Sequence, residues 1–237
     1  MQLNIVYEDA DILVCFKPAG VATQTASLSS QDMVSLLKNY LVKEKKEKNP
    51  YIGVIHRLDQ PVSGLLVFAK NQRSAGILSK QIQDGNANKD YLAICQGILL
   101  EKEKELVHYI RKNPETKMAQ VLQEMPENAE EKKEWKKAAL EYEVLEERED
   151  YSLVKIHLKT GRFHQIRAQF SFVGHPLLGD VKYKTKESEE VSKKHRIRFV
   201  ALCAHKLNLK HPVSGENMQF ILPQMYLPKE MKSTNEK

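Results

Sequence analysis

Along the first third of the chain, apolar and polar residues arrive in short runs whose period then changes. Residues 3–8 and 11–16 carry a strand pattern around a Glu-Asp-Ala turn, and the second run ends in Lys17-Pro18-Ala19-Gly20, a tight exit. From position 30 the period lengthens, with Met33, Val34, Leu36, Leu37, Tyr40 and Leu41 at helical intervals and Ser29 or Ser30 available as cap. This helix runs into a Lys/Glu stretch at 43–48 that reads as its solvated last turns. Val54-Ile55 and the apolar run 65–69 are expected strands, the second buried on both faces. Between them Pro61 and Gly64 demand turn geometry, so Asp59 sits in a loop pinned at both ends by core strands.

The remaining pattern predicts a helix over 71–84, capped by Asn71 and stopped by Gly85, and a strand over 89–97. A hairpin follows at 106–111 and 117–122, then an acidic stretch, 125–137, read as an exposed insert carrying the single tryptophan, Trp135. Residues 138–145 and 151–158 alternate as a second hairpin. After Thr160-Gly161, the stripe Phe163, Ile166, Phe170 and Val173 predicts a helix that places Arg162, His164 and Arg167 on its first turn and a half. Residues 181–198, with seven Lys or Arg against three Glu, read as mobile and basic. Strands at 199–209 and 218–222 close the fold, and 229–237 reads as a disordered tail. Many strands in hairpins with three good helices make an α+β fold: one domain over 1–228 on a mixed, largely antiparallel sheet with flanking helices.

With 237 residues, 41% of them hydrophobic, the chain can bury a sizeable core. Its longest apolar run, five residues, falls far below the roughly 20 that span a bilayer, and its start lacks a signal peptide's order, so a cytoplasmic protein without membrane contact is expected. Cys15, Cys95 and Cys203 have neither disulfide nor zinc spacing. A net charge of +6 suits a polyanionic partner if the positive charges share a face.

Three motifs sharpen this picture: His-Arg-Leu-Asp-x-x-x-Ser-Gly-Leu-Leu-Val-Phe-Ala-Lys at 56–70, Thr-Gly-Arg-x-His-Gln-Ile-Arg at 160–167, and Gly-His-Pro-Leu-Leu-Gly-Asp at 174–180. Together they resemble the RluA-type pseudouridine synthases, in a form that begins at the catalytic domain without the S4 module often found before it. Lys17-Pro18-Ala19-Gly20, Lys89-x-Tyr91-Leu92, Leu202-Cys203-Ala204-His205 and His211-Pro212-x-x-Gly215-Glu216 extend the resemblance over residues 3–222. It departs at Val62, where Thr is common, at Phe16, often Asn, and at Ala168-Gln169, usually a residue followed by His.

The resemblance implies the pseudouridine synthase fold, isomerisation of uridine to pseudouridine in structured ribosomal or transfer RNA, no metal or organic cofactor, and no obligate protein partner. Asp59 is then the catalytic carboxylate, either a nucleophile on sugar or base or the group that removes a ribose proton. Arg167 matches the arginine that keeps this carboxylate charged, with Arg162 the competing candidate and otherwise a phosphate contact. Tyr91 matches the tyrosine that stacks on the target base and helps move the C5 proton, and Arg57 the arginine that fills the space left by the flipped uridine. His56, His164 and Leu202 join Arg57 and Arg162 as expected RNA contacts. The rival readings are an inactive RNA-binding protein of the same fold, a metalloenzyme using some of His56, His164, His175, His205 and His211, whose spacings match no ligand pattern, and a glycoside hydrolase, which needs a second carboxylate such as Asp180.

Overall fold

The computed structural model describes residues 3–25 and 31–232. In chain order its elements are β1 (Asn4–Glu8), β2 (Ile12–Lys17), α1 (Met33–Lys43), β3 (Gly53–Val54), β4 (Ser63–Ala69) and α2 (Gln72–Gln83). Then come β5 (Asn88–Gln96), β6 (Glu103–Lys112), β7 (Ala119–Leu122), α3 (Ala129–Lys132), β8 (Lys136–Glu147), β9 (Tyr151–Leu158) and α4 (Gln165–Phe172). The last are α5 (Lys186–Lys194), β10 (Leu202–Lys210), β11 (Asn217–Ile221) and two 3-10 turns. The fold class is α+β with mostly antiparallel pairing, as the pattern predicts. The chain packs as two units, residues 1–89 with 203–227 and residues 90–202 with 228–237.

In the first unit, β4 is buried at every position, which is why its sequence is continuously apolar rather than alternating. It pairs antiparallel with β2, from Ile12 opposite Ala69 to Lys17 opposite Gly64, and parallel with β10 at Ser63 and Gly64. Gly64 has φ +127°, and a Cβ there would fall on the Ala204 backbone, so only glycine allows this approach of two strands. β1 pairs with β2 and β11 with β10, while α2 packs on β4. Asn71 caps α2 as expected, accepting the Ser74 N–H at 2.9 Å. The cap of α1 is Asp32: its carboxylate accepts the Ser35 N–H at 2.7 Å, and the Ser35 hydroxyl accepts the Asp32 N–H at 3.1 Å. The serines expected to cap it, Ser29 and Ser30, lie outside the described residues.

In the second unit, β5, β9, β8, β6 and β7 follow one another in antiparallel order, and the two expected hairpins are β6–β7 and β8–β9. Ile94, Leu140, Val154, Ile156 and Phe170 are among its buried side chains. Four expectations change here. Trp135 is buried, not exposed, with the Arg111 guanidinium 4.9 Å from its ring centre. α4 begins at Gln165, leaving Arg162, Phe163 and His164 on the preceding loop. Residues 186–194 form helix α5, closed by a Thr185/Ser188 capping box, with Glu187 and Glu189 in its first turn and Lys193 and Lys194 in its last. Its buried residues are the small polar Ser188 and Ser192, so it lacks the apolar stripe by which a helix is usually read. Finally, the expected tail begins with a 3-10 turn, Lys229–Met231, whose Met231 is buried, while 233–237 lie outside the described residues.

Candidate active site

Asp59 lies between two residues whose backbone is tied to the same neighbouring loop. On one side the Thr23 hydroxyl both donates to the Leu58 carbonyl (3.1 Å) and accepts the Leu58 N–H (3.2 Å). On the other, the Gln60 carbonyl accepts from the Gly20 N–H (2.8 Å) and from Lys17 Nζ (3.0 Å), and the Gln60 amide donates to the Gly20 carbonyl (3.0 Å). The Asp59 carbonyl accepts the Val62 N–H at 3.0 Å, closing the turn through Pro61. Asp59, a partly exposed residue, is therefore carried on a backbone fixed on both flanks.

Lys17 is the cation behind this loop. Its side chain is fully buried, and its ammonium donates to three carbonyls, those of Pro18 (3.1 Å), Val21 (2.6 Å) and Gln60 (3.0 Å). Burial pulls its pKa down to about 8, while the charge of Asp59 acts in the opposite sense. Arg57 is exposed. His56, expected among the RNA contacts, is instead an interior residue: its Nε2 accepts the Val67 N–H at 3.4 Å, and its buried Nδ1 has no hydrogen-bond partner. Burial, reinforced by the nearby Lys89 charge, lowers its pKa to about 3 and keeps the ring neutral.

The second unit carries the other expected residues. Arg167 is buried on α4 and holds Asp180 in a two-pronged pair, Nε to Oδ2 at 2.6 Å and Nη2 to Oδ1 at 2.8 Å. Asp180 also accepts the backbone N–H groups of Lys182 (2.9 Å) and Tyr183 (3.2 Å). Burial pushes its carboxyl up, but the Arg167 hydrogen bonds and charge and these N–H groups outweigh it and hold it below the ordinary range. Asp180 is thus the counter-ion of Arg167 and unsuited to act as a second hydrolytic carboxylate. Arg162 is exposed, its Nε donating to the Lys137 carbonyl at 2.9 Å. His164 has left-handed backbone, φ +52°, with Nδ1 hydrogen-bonded to the Tyr183 hydroxyl at 2.9 Å. Tyr91 on β5 and Leu202 at the start of β10 are buried.

The structure thus gathers His56, Arg57 and Asp59 on one loop, and Arg162, His164 and Arg167 on one loop and helix. Sequence reasoning assigned no role to Lys17, Thr23 or Tyr183. Lys17 stood in a recognised motif, and its role was hidden because a lysine is ordinarily solvent-exposed; Thr23 and Tyr183 carried no signal. Among the described residues one group, Asp9, Asp11 and His211, has metal-like spacing. Its atoms are engaged by protein donors: Asp9 accepts from the Asp11 and Ile12 N–H groups, Tyr7 and His211, and Asp11 from Asn71 and Ser74.

The chain belongs to the RNA pseudouridylate synthase family, whose model matches residues 11–172. It is 32% identical to ribosomal large subunit pseudouridine synthase D of Pasteurella multocida, over 94% of this chain and 68% of that protein. It is 29% identical to tRNA pseudouridine synthase C of Haemophilus ducreyi, over 90% of this chain and 87% of that one. Among solved structures, human RNA pseudouridylate synthase domain containing 1 superposes with a TM-score of 0.74 at 25% identity, covering 98% of this chain and 86% of that chain. Among the described residues no helix is long and apolar enough to cross a membrane.

Proposed function

We propose that this protein converts particular uridines of structured ribosomal or transfer RNA to pseudouridine, with Asp59 as the catalytic carboxylate and residues 1–228 as the catalytic domain. The observation that carries the reading is the double anchoring of Asp59, whose neighbours Leu58 and Gln60 are each tied to the 17–23 loop. A carboxylate that must attack or abstract a proton at one atom gains most from a fixed origin. In the reaction the bond from ribose C1′ to N1 breaks, the uracil turns, a bond from C1′ to C5 forms, and the C5 proton leaves as N1 gains one. Atoms and electrons balance within the nucleotide, so neither a redox partner nor a co-substrate is required. Tyr91 and Arg167 serve the same reaction: the tyrosine ring stacks on the target base while its hydroxyl helps move the C5 proton, and the buried arginine keeps the catalytic carboxylate charged. Arg57 and Arg162, both exposed cations, meet the RNA. The enzyme works in the cytoplasm and without an obligate protein partner.

Asp59→Asn tests this directly. Asparagine suits the same turn, so folding and RNA binding are expected to persist. Release of tritium from C5-labelled uridine RNA is expected to fall more than about a thousandfold, since each 1.4 kcal/mol or so on the barrier is tenfold in rate. A variant within about tenfold of wild type would remove Asp59 from the chemistry. Chemical mapping of pseudouridines in a deletion strain against its parent identifies the RNA.

A further inference from the structure

Phe163 is turned outward by its own backbone. Its spacing with Ile166 and Phe170 would bury it if the helix began at 162, yet the left-handed His164 stops α4 at Gln165, and Phe163 remains 37% exposed. Left-handed backbone in a non-glycine residue has to be held by its surroundings. Here Tyr183 holds it: its hydroxyl, hydrogen-bonded to His164, also accepts the Ala119 N–H at 2.6 Å, and its ring packs in a buried cluster with Ile110, Ala119 and Ala168. The Phe163 ring stacks on the His164 ring with 3.8 Å between centres and 19° between planes. A flat apolar surface is thereby fixed on a rigid frame and shown to solvent.

Two exposed cations border it. Lys112 Nζ lies over the Phe163 ring, 5.0 Å from its centre, so a base that stacks on Phe163 takes the place of this ammonium, whose long side chain can turn to the phosphate. Arg162 is anchored through Nε to the Lys137 carbonyl, and its Nη donors make no hydrogen bond among the described residues. Neither cation is in an ion pair among the described residues. An aromatic face flanked by unneutralised positive charge is what unpaired nucleic acid requires: a platform for a base and donors for its phosphate. We propose that Phe163, backed by His164, stacks on an unpaired base of the substrate RNA, while Lys112 and Arg162 take the adjoining phosphates. This rests on the RNA-modifying function proposed above and adds to it a second nucleotide seat.

The test uses the full-length protein, Phe163→Leu and Phe163→Tyr, with a short RNA stem-loop whose loop is uridine-rich and the same stem-loop with abasic loop residues. Leucine keeps apolar bulk and loses the π face; tyrosine keeps both. We expect Phe163→Leu to bind the intact loop roughly tenfold more weakly, Phe163→Tyr to bind it as wild type does, and all three proteins to bind the abasic RNA alike. Thermal unfolding is expected to be the same for the three, because the ring is at the surface. Lys112→Gln is expected to flatten the dependence of log affinity on log salt by about 0.7. Equal affinity of wild type and Phe163→Leu for the intact loop overturns the proposal, as does a tyrosine variant as weak as the leucine one. Pseudouridine formation by the wild type is read separately: its absence refutes the proposed enzyme function, whereas activity with unchanged Phe163→Leu binding refutes only the seat.

Discussion

Each unit of this protein buries a positive charge beside the residues expected to act, and the two charges are balanced in different ways. Lys17 gives its ammonium hydrogens to three backbone carbonyls, so it fixes the course of the loop that bears Asp59 while its hydrogen bonds go to main chain. Arg167 instead grips a carboxylate, Asp180, which two backbone N–H groups also secure. An ammonium on carbonyls is held by main-chain dipoles, whereas a guanidinium gripping a carboxylate offsets that carboxylate's charge and marks a fixed point of the fold. The difference assigns the two aspartates different work: Asp180 supports the structure, and Asp59 is presented by a structure that others support.

The largest expected effect that separates them is on stability. Asp180→Asn removes the buried carboxylate that Arg167 grips through Nε and Nη2, and breaking one side of such a pair costs about 3–5 kcal/mol. Denaturant unfolding should detect this loss, while Asp59→Asn, at a partly exposed turn position, should stay within about 1 kcal/mol of wild type. Equal stability of the two variants would erase the distinction. A smaller effect is expected at Lys17. Lys17→Met keeps the length of the side chain but frees the Gln60, Val21 and Pro18 carbonyls, allowing Asp59 to drift. A displacement on the scale of 1 Å costs up to about a hundredfold, so single-turnover rates should fall about ten- to a hundredfold with little change in RNA affinity. Unchanged rates would show that Thr23 and Gly20 suffice to hold the loop.

This contrast also marks what the sequence can tell. β4 was legible because a strand buried on both faces must be continuously apolar, and the Asp59 loop because Pro61 and Gly64 punctuate it. Lys17 was legible as part of a motif but not as a buried cation, since nothing local distinguishes the rare interior lysine from the common exposed one. In the second unit, the stripe Phe163, Ile166 and Phe170 predicts one more helical turn than exists, because a left-handed residue held by a tyrosine 19 positions away is a tertiary effect. α5 was missed for the opposite reason: its capping residues are plain in the sequence, but it buries serines and so lacks an apolar face. His56 was read by its motif as an RNA contact, yet its ring packs inward while its neighbour Arg57 faces out.

That inward ring gives the last and smallest prediction, a dependence of stability on pH that belongs to the Asp59 loop. The folded-state pKa of His56 lies near 3, against an ordinary value of 6.5, because burial and the Lys89 charge both disfavour the protonated ring. Between these values the unfolded chain binds a proton that the folded chain refuses. Acidification therefore favours unfolding: the contribution is fully present above about pH 6.5 and is lost progressively as the pH falls toward 3. One pH unit below 6.5, at pH 5.5, the loss from this residue alone should be about 1.4 kcal/mol. His56→Gln removes the titration while leaving an amide oxygen to accept the Val67 N–H. Urea unfolding of both proteins at pH 7.5 and pH 5.5 checks this, with the wild type losing about 1.4 kcal/mol more than the variant between the two. If both lose the same amount, His56 takes up its proton in the folded state as readily as in the unfolded one, and the loop is open enough to solvate a charged ring.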